Sequence, residues 1–171
     1  MKDNNEGAVS NRPEGLTVVD QAVFRRLSST AREGSRFRQH HNLHQSYDEV
    51  CQRLLNAVEP ESYIRPHRHE CPLQKETLLV IQGSVALLIF NDNGTVEYSE
   101  TFGEDCGSKL MEIDSMIWHT VLALEPNTIL FEVKQGPFVE ARAKCLASWA
   151  PHEGTQEAIE YHAGLLASIK K

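Results

Sequence analysis

Two imidazoles two residues apart, His67 and His69, in Ile64-Arg65-Pro66-His67-Arg68-His69, are the residues of this chain best suited to chemistry. In extended backbone, side chains two apart share a face, so both rings point the same way. A carboxylate, Glu76, follows, and another histidine arrives much later in Ile117-Trp118-His119-Thr120. Neutral imidazole and carboxylate suit a divalent transition metal, with Zn, Fe, Mn and Ni among the candidates. Three His and one Glu leave two positions open on a six-coordinate ion, as catalytic metal sites require.

The same period places Arg65 on the face of His67 and His69, where a guanidinium could hold a carboxylate or phosphate by paired hydrogen bonds. Arg53 could do the same from a strand whose inward face the pattern leaves ambiguous. Glu132 and Lys134 share a face opposite Phe131 and Val133. If that face lines a barrel, the two are an acid/base pair near the metal; if it points outward, Phe131 and Val133 form the core. Tyr98 could bring a hydroxyl to the same pocket, or simply pack.

The elements that must position these groups are mostly strands. Cys51–Val58, Tyr63–His69, Thr77–Gln82, Val85–Phe90, Thr95–Phe102, Lys109–Ile113, Met116–Leu124 and Thr128–Gln135 read as short strands broken by turn residues. Gly83-Ser84 looks like the turn of a hairpin, and Asn91-Asp92-Asn93-Gly94 is a stronger one. This pattern indicates a β-barrel or jelly roll. Before it, Asp20 can cap a helix carrying Val23, Phe24, Leu27 and Ala31 on one stripe, with Gly34 as its stop. After it, Thr155 can cap a helix with Ile159, Leu165, Leu166 and Ile169 as its apolar stripe. The polar run Ser35 to His44 has no clear assignment. Residues 1–15 read as loosely ordered and 16–171 as a single domain.

A formal net charge of -7 argues against a general nucleic-acid partner. No stretch is apolar and long enough to span a membrane, and the start lacks the apolar core of a signal peptide, so a cytoplasmic protein is expected. The four cysteines are widely spaced, with no Cys-x-x-Cys pair, which argues against a zinc ribbon and a disulfide framework.

His67-x-His69 together with Glu76-x6-Gly83 resembles the first motif of the cupin superfamily, and Ile113 to His119 occupies the place of the second. Six residues separate His69 from Glu76, more than that motif has, so Glu70 and Cys71 stand as alternative fourth ligands. Asp114 and Met116 replace the motif's Pro and Gly. A narrower resemblance runs from about residue 20 to 152. It is carried in order by Arg36-Phe37-Arg38, Asn42-Leu43-His44, Gln52-Arg53, Tyr63 to His69, Lys75-Glu76-Thr77, Trp118-His119-Thr120, Glu132 to Pro137 and Trp149-Ala150-Pro151. On these segments the chain resembles the WbuC-type cupin-fold metalloproteins, small bacterial proteins often associated with surface-polysaccharide gene clusters.

The resemblance implies a cupin double-stranded β-helix, a jelly-roll barrel with short N-terminal and C-terminal helices. It also implies one metal held by His67, His69, Glu76 and His119, and a homodimer. Through it, Arg38 and His44 join Arg65 and Arg53 as substrate-binding candidates beside the catalytic candidates Glu132, Lys134 and Tyr98. The expected function is isomerisation or epimerisation of a small anionic, sugar-like molecule. The alternatives are an Fe(II)-dependent dioxygenase and a non-catalytic metal- or sugar-binding module.

Overall fold

The computed structural model of the protein describes residues 13–70 and 74–169. Residues 1–12, and Cys71 among the alternative ligands, lie outside the described residues.

Helix α1 (Gln21–Glu33) starts where Asp20 accepts hydrogen bonds from the backbone N–H of Ala22 and Val23 at 3.0 and 3.2 Å. It ends at Gly34, whose N–H returns to the carbonyls of Thr30 and Ala31. Ten strands follow. They are β1 (Arg38–Asn42), β2 (Cys51–Val58), β3 (His67–Arg68), β4 (Glu76–Gln82), β5 (Ser84–Phe90), β6 (Val96–Gly103), β7 (Leu110–Ile113), β8 (Trp118–Ala123), β9 (Thr128–Gln135) and β10 (Cys145–Leu146). Helix α2 (Gln156–Ser168) closes the described chain, with the Thr155 hydroxyl accepting from Ala158 N–H.

The strands form two antiparallel sheets, ordered β1-β2-β9-β4-β7 and β10-β3-β8-β5-β6. From β2 onward the chain crosses between the sheets at most turns, which is the winding of a double-sheet jelly roll. The fold class read from the sequence is therefore the one observed: mainly β, with a helix at each end.

Several local expectations change. Gly83-Ser84 is not a hairpin turn, because β4 pairs with β7 and β9 while β5 pairs with β6 and β8. Gly83 instead carries the chain from one sheet to the other. Its φ of +75° and its packing, where a Cβ would fall 2.4 Å from Thr128 Oγ1, both demand glycine. The Tyr63–His69 strand shrinks to β3, since Pro66 has no N–H to give to a ladder. The polar run before residue 44 becomes the edge strand β1. In α2 the buried line is Ala158, His162 and Leu165, while Ile159 is 64% exposed. His162 is drawn inward by its hydrogen bond to the Pro60 carbonyl at 2.7 Å.

Both sheets are covered on their outer faces. Phe24, Leu27 and Ala31 of α1 pack on Leu55, Ala57 and Ile129. Leu165 of α2 packs on Leu88, Phe90 and Leu122. Between the sheets lies a third cluster including Val58, Leu78, Val80, Val85, Leu87, Val121 and Leu130. Several strands are graded along this inner face. Going from one end to the other, β9 reads Lys134, Glu132, Leu130; β4 reads Glu76, Leu78, Val80; and β8 reads His119, Val121, Ala123. One end of the barrel is thus a solid apolar plug and the other a polar chamber.

Replacing Leu55, 2% exposed beneath α1, by Ala is expected to cost about 2–5 kcal/mol through lost burial and the cavity left behind. Urea unfolding checks this: the midpoint should fall with little change in slope, and metal content of the folded protein should not change.

Candidate metal centre

His67, His69, Glu76 and His119 are all buried, and each offers one donor atom within 4.8 Å of the others. They come from both sheets. His67 on β3 lies directly opposite His119 on β8. His69 follows β3 immediately, its carbonyl fixed by the Met116 N–H at 2.8 Å. Glu76 opens β4 in the facing sheet. The His67 and His119 ring centroids are 4.5 Å apart.

What the outer nitrogens do decides the chemistry. The Nδ1 atoms of His67, His69 and His119 meet the backbone carbonyls of Arg65, Ala143 and Ile117 at 3.0, 2.7 and 2.8 Å. A carbonyl only accepts, so each Nδ1 carries the proton, and in the neutral ring each Nε2 presents a lone pair. The Nε2 atoms of His69 and His119 both lie 3.3 Å from Glu76 Oε2. Buried Nε2 of His67 has no hydrogen-bond partner among the described residues. Four lone pairs directed at one point repel unless a cation lies among them.

Metal bonds to these donors are about 2.0–2.2 Å, so donors on opposite sides of one ion are about 4.0–4.4 Å apart. The cluster closes on an ion by sub-ångström shifts, and it fits a single divalent transition metal. Glu76 is in the set despite its long separation from His69. The other alternative, Glu70, is exposed and ion-paired with Arg68.

Titration follows the same logic. Burial holds His67 well below the ordinary histidine range, with Lys144 and His119 adding to the effect. Burial pushes the Glu76 carboxyl up, but hydrogen bonds from His119 and His69, given when a proton takes the place of the metal on Nε2, and the charge of Lys134 outweigh this and hold it well below the carboxylate range. Both groups are thus kept in the states that ligate metal.

The cluster opens into a cavity of about 780 Å³, a volume typical of small-molecule sites. Glu132 and Lys134 stand in its wall beside Glu76, Lys134 pairing with Glu76 across the β4–β9 ladder. The inward placement follows from α1, which takes Ile129 and Phe131 on the opposite face of β9. Lys134 Nζ donates to Glu132 Oε1, and Asn56 Nδ2 donates to Glu132 Oε2 at 2.5 Å. Burial, then the charge of Glu76, raises the Glu132 carboxyl above its ordinary range. Burial would lower Lys134, but Glu132 and Glu76 raise it.

The remaining sequence candidates divide. Arg65, Arg38 and His44 line the cavity. Arg65 is 7% exposed and largely committed: Nη2 donates to the Ala147 carbonyl at 2.6 Å and Nη1 to His152 Nδ1 at 3.1 Å. Arg38 donates to the Tyr63 carbonyl at 2.9 Å and to Glu153 at 2.6 Å. His44 turns Nδ1 to the Arg53 backbone and leaves a buried Nε2 without a partner.

Arg53 and Tyr98 are not brought to the site. Arg53 alternates with Leu54 and Asn56, which line the cavity, and faces outward to an ion pair with Glu49. Tyr98 is 49% exposed and gives its hydroxyl to Glu100, because β6 is an edge strand that reaches the core only near Phe102.

The sequence reading missed Asn56 and Lys144. Asn56 was legible as the polar inward position between Leu54 and Val58. Lys144 lies in a segment with no periodic pattern, and only tertiary contact brings it to the cavity wall.

The strand order and the buried cluster define a double-sheet jelly roll with a candidate site for one divalent metal. A family model described as a domain of unknown function, DUF6016, matches residues 19–102, a span that holds His67, His69 and Glu76 but not His119. No curated protein matches the chain by sequence. Among solved structures, the chain is similar to KdgF from Halomonas sp., at 14% identity over 61% of this chain and 83% of that one, with a TM-score of 0.47. It is also similar to oxalate decarboxylase from Bacillus subtilis, at 20% identity over 64% of this chain and 27% of that one, TM-score 0.49. A formate complex of oxalate decarboxylase from Lactobacillus farciminis matches at 14% identity over 64% of this chain and 35% of that one, TM-score 0.45. The match thus spans about a third or less of either decarboxylase's length.

Two outcomes test the centre. The double variant His67→Ala/His119→Ala should retain essentially no metal by inductively coupled plasma analysis, and full retention ends the assignment. Acid should release the metal, since every ligand must be deprotonated to bind. In the metal-free protein the lowered His67 value means the unfolded chain binds more protons as the pH drops. Its stability contribution is complete above about pH 6.5, the ordinary histidine value, and is lost as pH falls below it. Thermal melts between pH 7.5 and 5 should fall in Tm; a flat profile contradicts the buried neutral ring.

Proposed function

We propose that the protein is a metal-dependent enzyme acting on a small, anionic, carbohydrate-like molecule by proton transfer, as an isomerase or epimerase. One observation carries this reading: a Glu132–Lys134 pair, its carboxylate buried and steadied by Asn56, stands beside the metal ligands inside the cavity. A module that only stores metal has no need of a raised carboxyl next to its ion. Bound there, a divalent metal would supply Lewis acidity, polarising a carbonyl or hydroxyl of the substrate. Glu132 is then the group that takes a proton from the neighbouring carbon and returns it. Its raised titration brings it closer to neutral pH, where proton exchange is most efficient. Lys134 holds Glu132 in place and balances its charge in the unprotonated state.

The anionic character of the substrate rests on charge. The cavity lining carries Arg36, Arg38, Arg65, Lys134 and Lys144 against Glu76, Glu132, Glu140 and Glu153, a net excess of one positive charge before any metal adds two. This local sign opposes the chain's net -7. The resemblance to WbuC-type cupins directs the choice among anions toward surface-polysaccharide precursors, and it supports a homodimer, which light scattering on the purified protein tests.

The experiment is solvent-deuterium exchange, read by NMR, on a panel of sugar phosphates, uronates and nucleotide-sugars with the metal-loaded protein. One member should incorporate deuterium beside a carbonyl. Glu132→Gln should lower that rate by about 10²–10⁴-fold with metal content unchanged. A metal-loaded protein that exchanges none of the panel, but consumes O2 with Fe(II) and a bound substrate, replaces this reading with the dioxygenase. Neither activity leaves the binding module.

A further inference from the structure

Lys144 is a cavity cation that the fold holds close to the metal ligands and leaves unpaired among the described residues. It makes no hydrogen bond or ion pair with the described residues, whereas Lys134 is paired with Glu132 and Arg38 with Glu153. Its backbone is fixed on both sides. The carbonyl of Ala143, the residue before it, accepts from His69 Nδ1 at 2.7 Å. Two residues on, Leu146 pairs with His67. The Ala147 N–H and carbonyl are then held by Pro66 at 2.9 Å and by the Arg65 guanidinium at 2.6 Å. Lys144 is therefore positioned by the same segment that orients the His69 ring and pairs with the His67 backbone.

The residue is exposed and lines the open cavity. Desolvation by the surrounding wall is the largest influence on its titration and pulls it down, with Glu76 opposing. An ammonium in the cavity wall with no acceptor among the described residues is suited to an oxyanion.

We propose that Lys144 is a specificity-determining residue that binds the oxyanion of the substrate, carboxylate or phosphate, beside the metal. This rests on the reading of the centre as a metal site. It also reassigns the role expected of Arg65, whose Nη2 holds the Lys144 segment in place through the Ala147 carbonyl. An oxyanion reaching Lys144 brings the adjoining carbons of the substrate next to Glu132.

The test uses the full chain loaded with Co2+. Inorganic phosphate and acetate are titrated in parallel and followed by calorimetry and the cobalt visible spectrum. The wild-type protein should bind at least one saturably; tighter phosphate assigns a phosphate group, tighter acetate a carboxylate. Lys144→Gln should weaken that binding about tenfold or more, as loss of a charge-assisted hydrogen bond predicts. Lys144→Arg should recover most of it, and both variants should keep full cobalt content and the same melting temperature. If the wild-type protein takes up no Co2+, the metal reading itself fails, and this assignment with it. If cobalt is bound in full but neither anion binds, or Lys144→Gln binds as tightly as wild type, the assignment of Lys144 alone is overturned.

Discussion

Three imidazole nitrogens and one carboxylate oxygen converge between two β-sheets, and much of the surrounding structure serves to keep them there. Each ring is pinned from behind by a backbone carbonyl, those of Arg65, Ala143 and Ile117. Those carbonyls belong to segments that are otherwise irregular or short. The pinning fixes both the orientation of each ring and the nitrogen that carries its proton. Without it, either nitrogen could turn inward and the lone pairs would not meet. The cost of gathering four such groups in a buried place falls on the fold until a cation relieves it.

The jelly roll can carry that cost because its inner face is graded. Along β4, β8 and β9 the inward positions change from ligand or acid/base residue to aliphatic residue within two or three alternations. The apolar plug of Leu78, Val80, Val121 and Leu130 closes one end, and the helices seal the outer faces. Burial there stabilises strands whose other ends are polar and strained by charge. Outward and inward faces are thus decided by α1 and α2 as much as by the sheets. Phe131 and Leu55 reach α1, so Glu132 and Asn56 must face the cavity. The same parity turns Arg53 away from it.

The cavity is built from groups of unequal freedom. Arg65 and Arg38 are drawn into carbonyls, His152 and Glu153, and so frame the wall. Lys134 is bound to Glu132. Lys144 stands apart from these pairings. A cavity whose frame is satisfied internally, with few groups left over, has its recognition concentrated in those few.

Sequence alone marked the three histidines of the candidate centre and the class of fold. A His-x-His repeat in extended backbone and a distant strand histidine need only the period of two to be read, and turn residues at short intervals mark a jelly roll. The helix caps Asp20 and Thr155 were equally legible, because capping is local chemistry. Tertiary structure decided what depends on which elements meet. It made Gly83 a crossing between sheets, selected Glu76 over Glu70 as the fourth ligand, turned Glu132 and Lys134 inward, left Tyr98 on an exposed edge, and brought Lys144 to the cavity. Each is a choice between two faces or two neighbours of equal local merit. Only the packing of a helix or a partner strand on one side makes the choices unequal in energy.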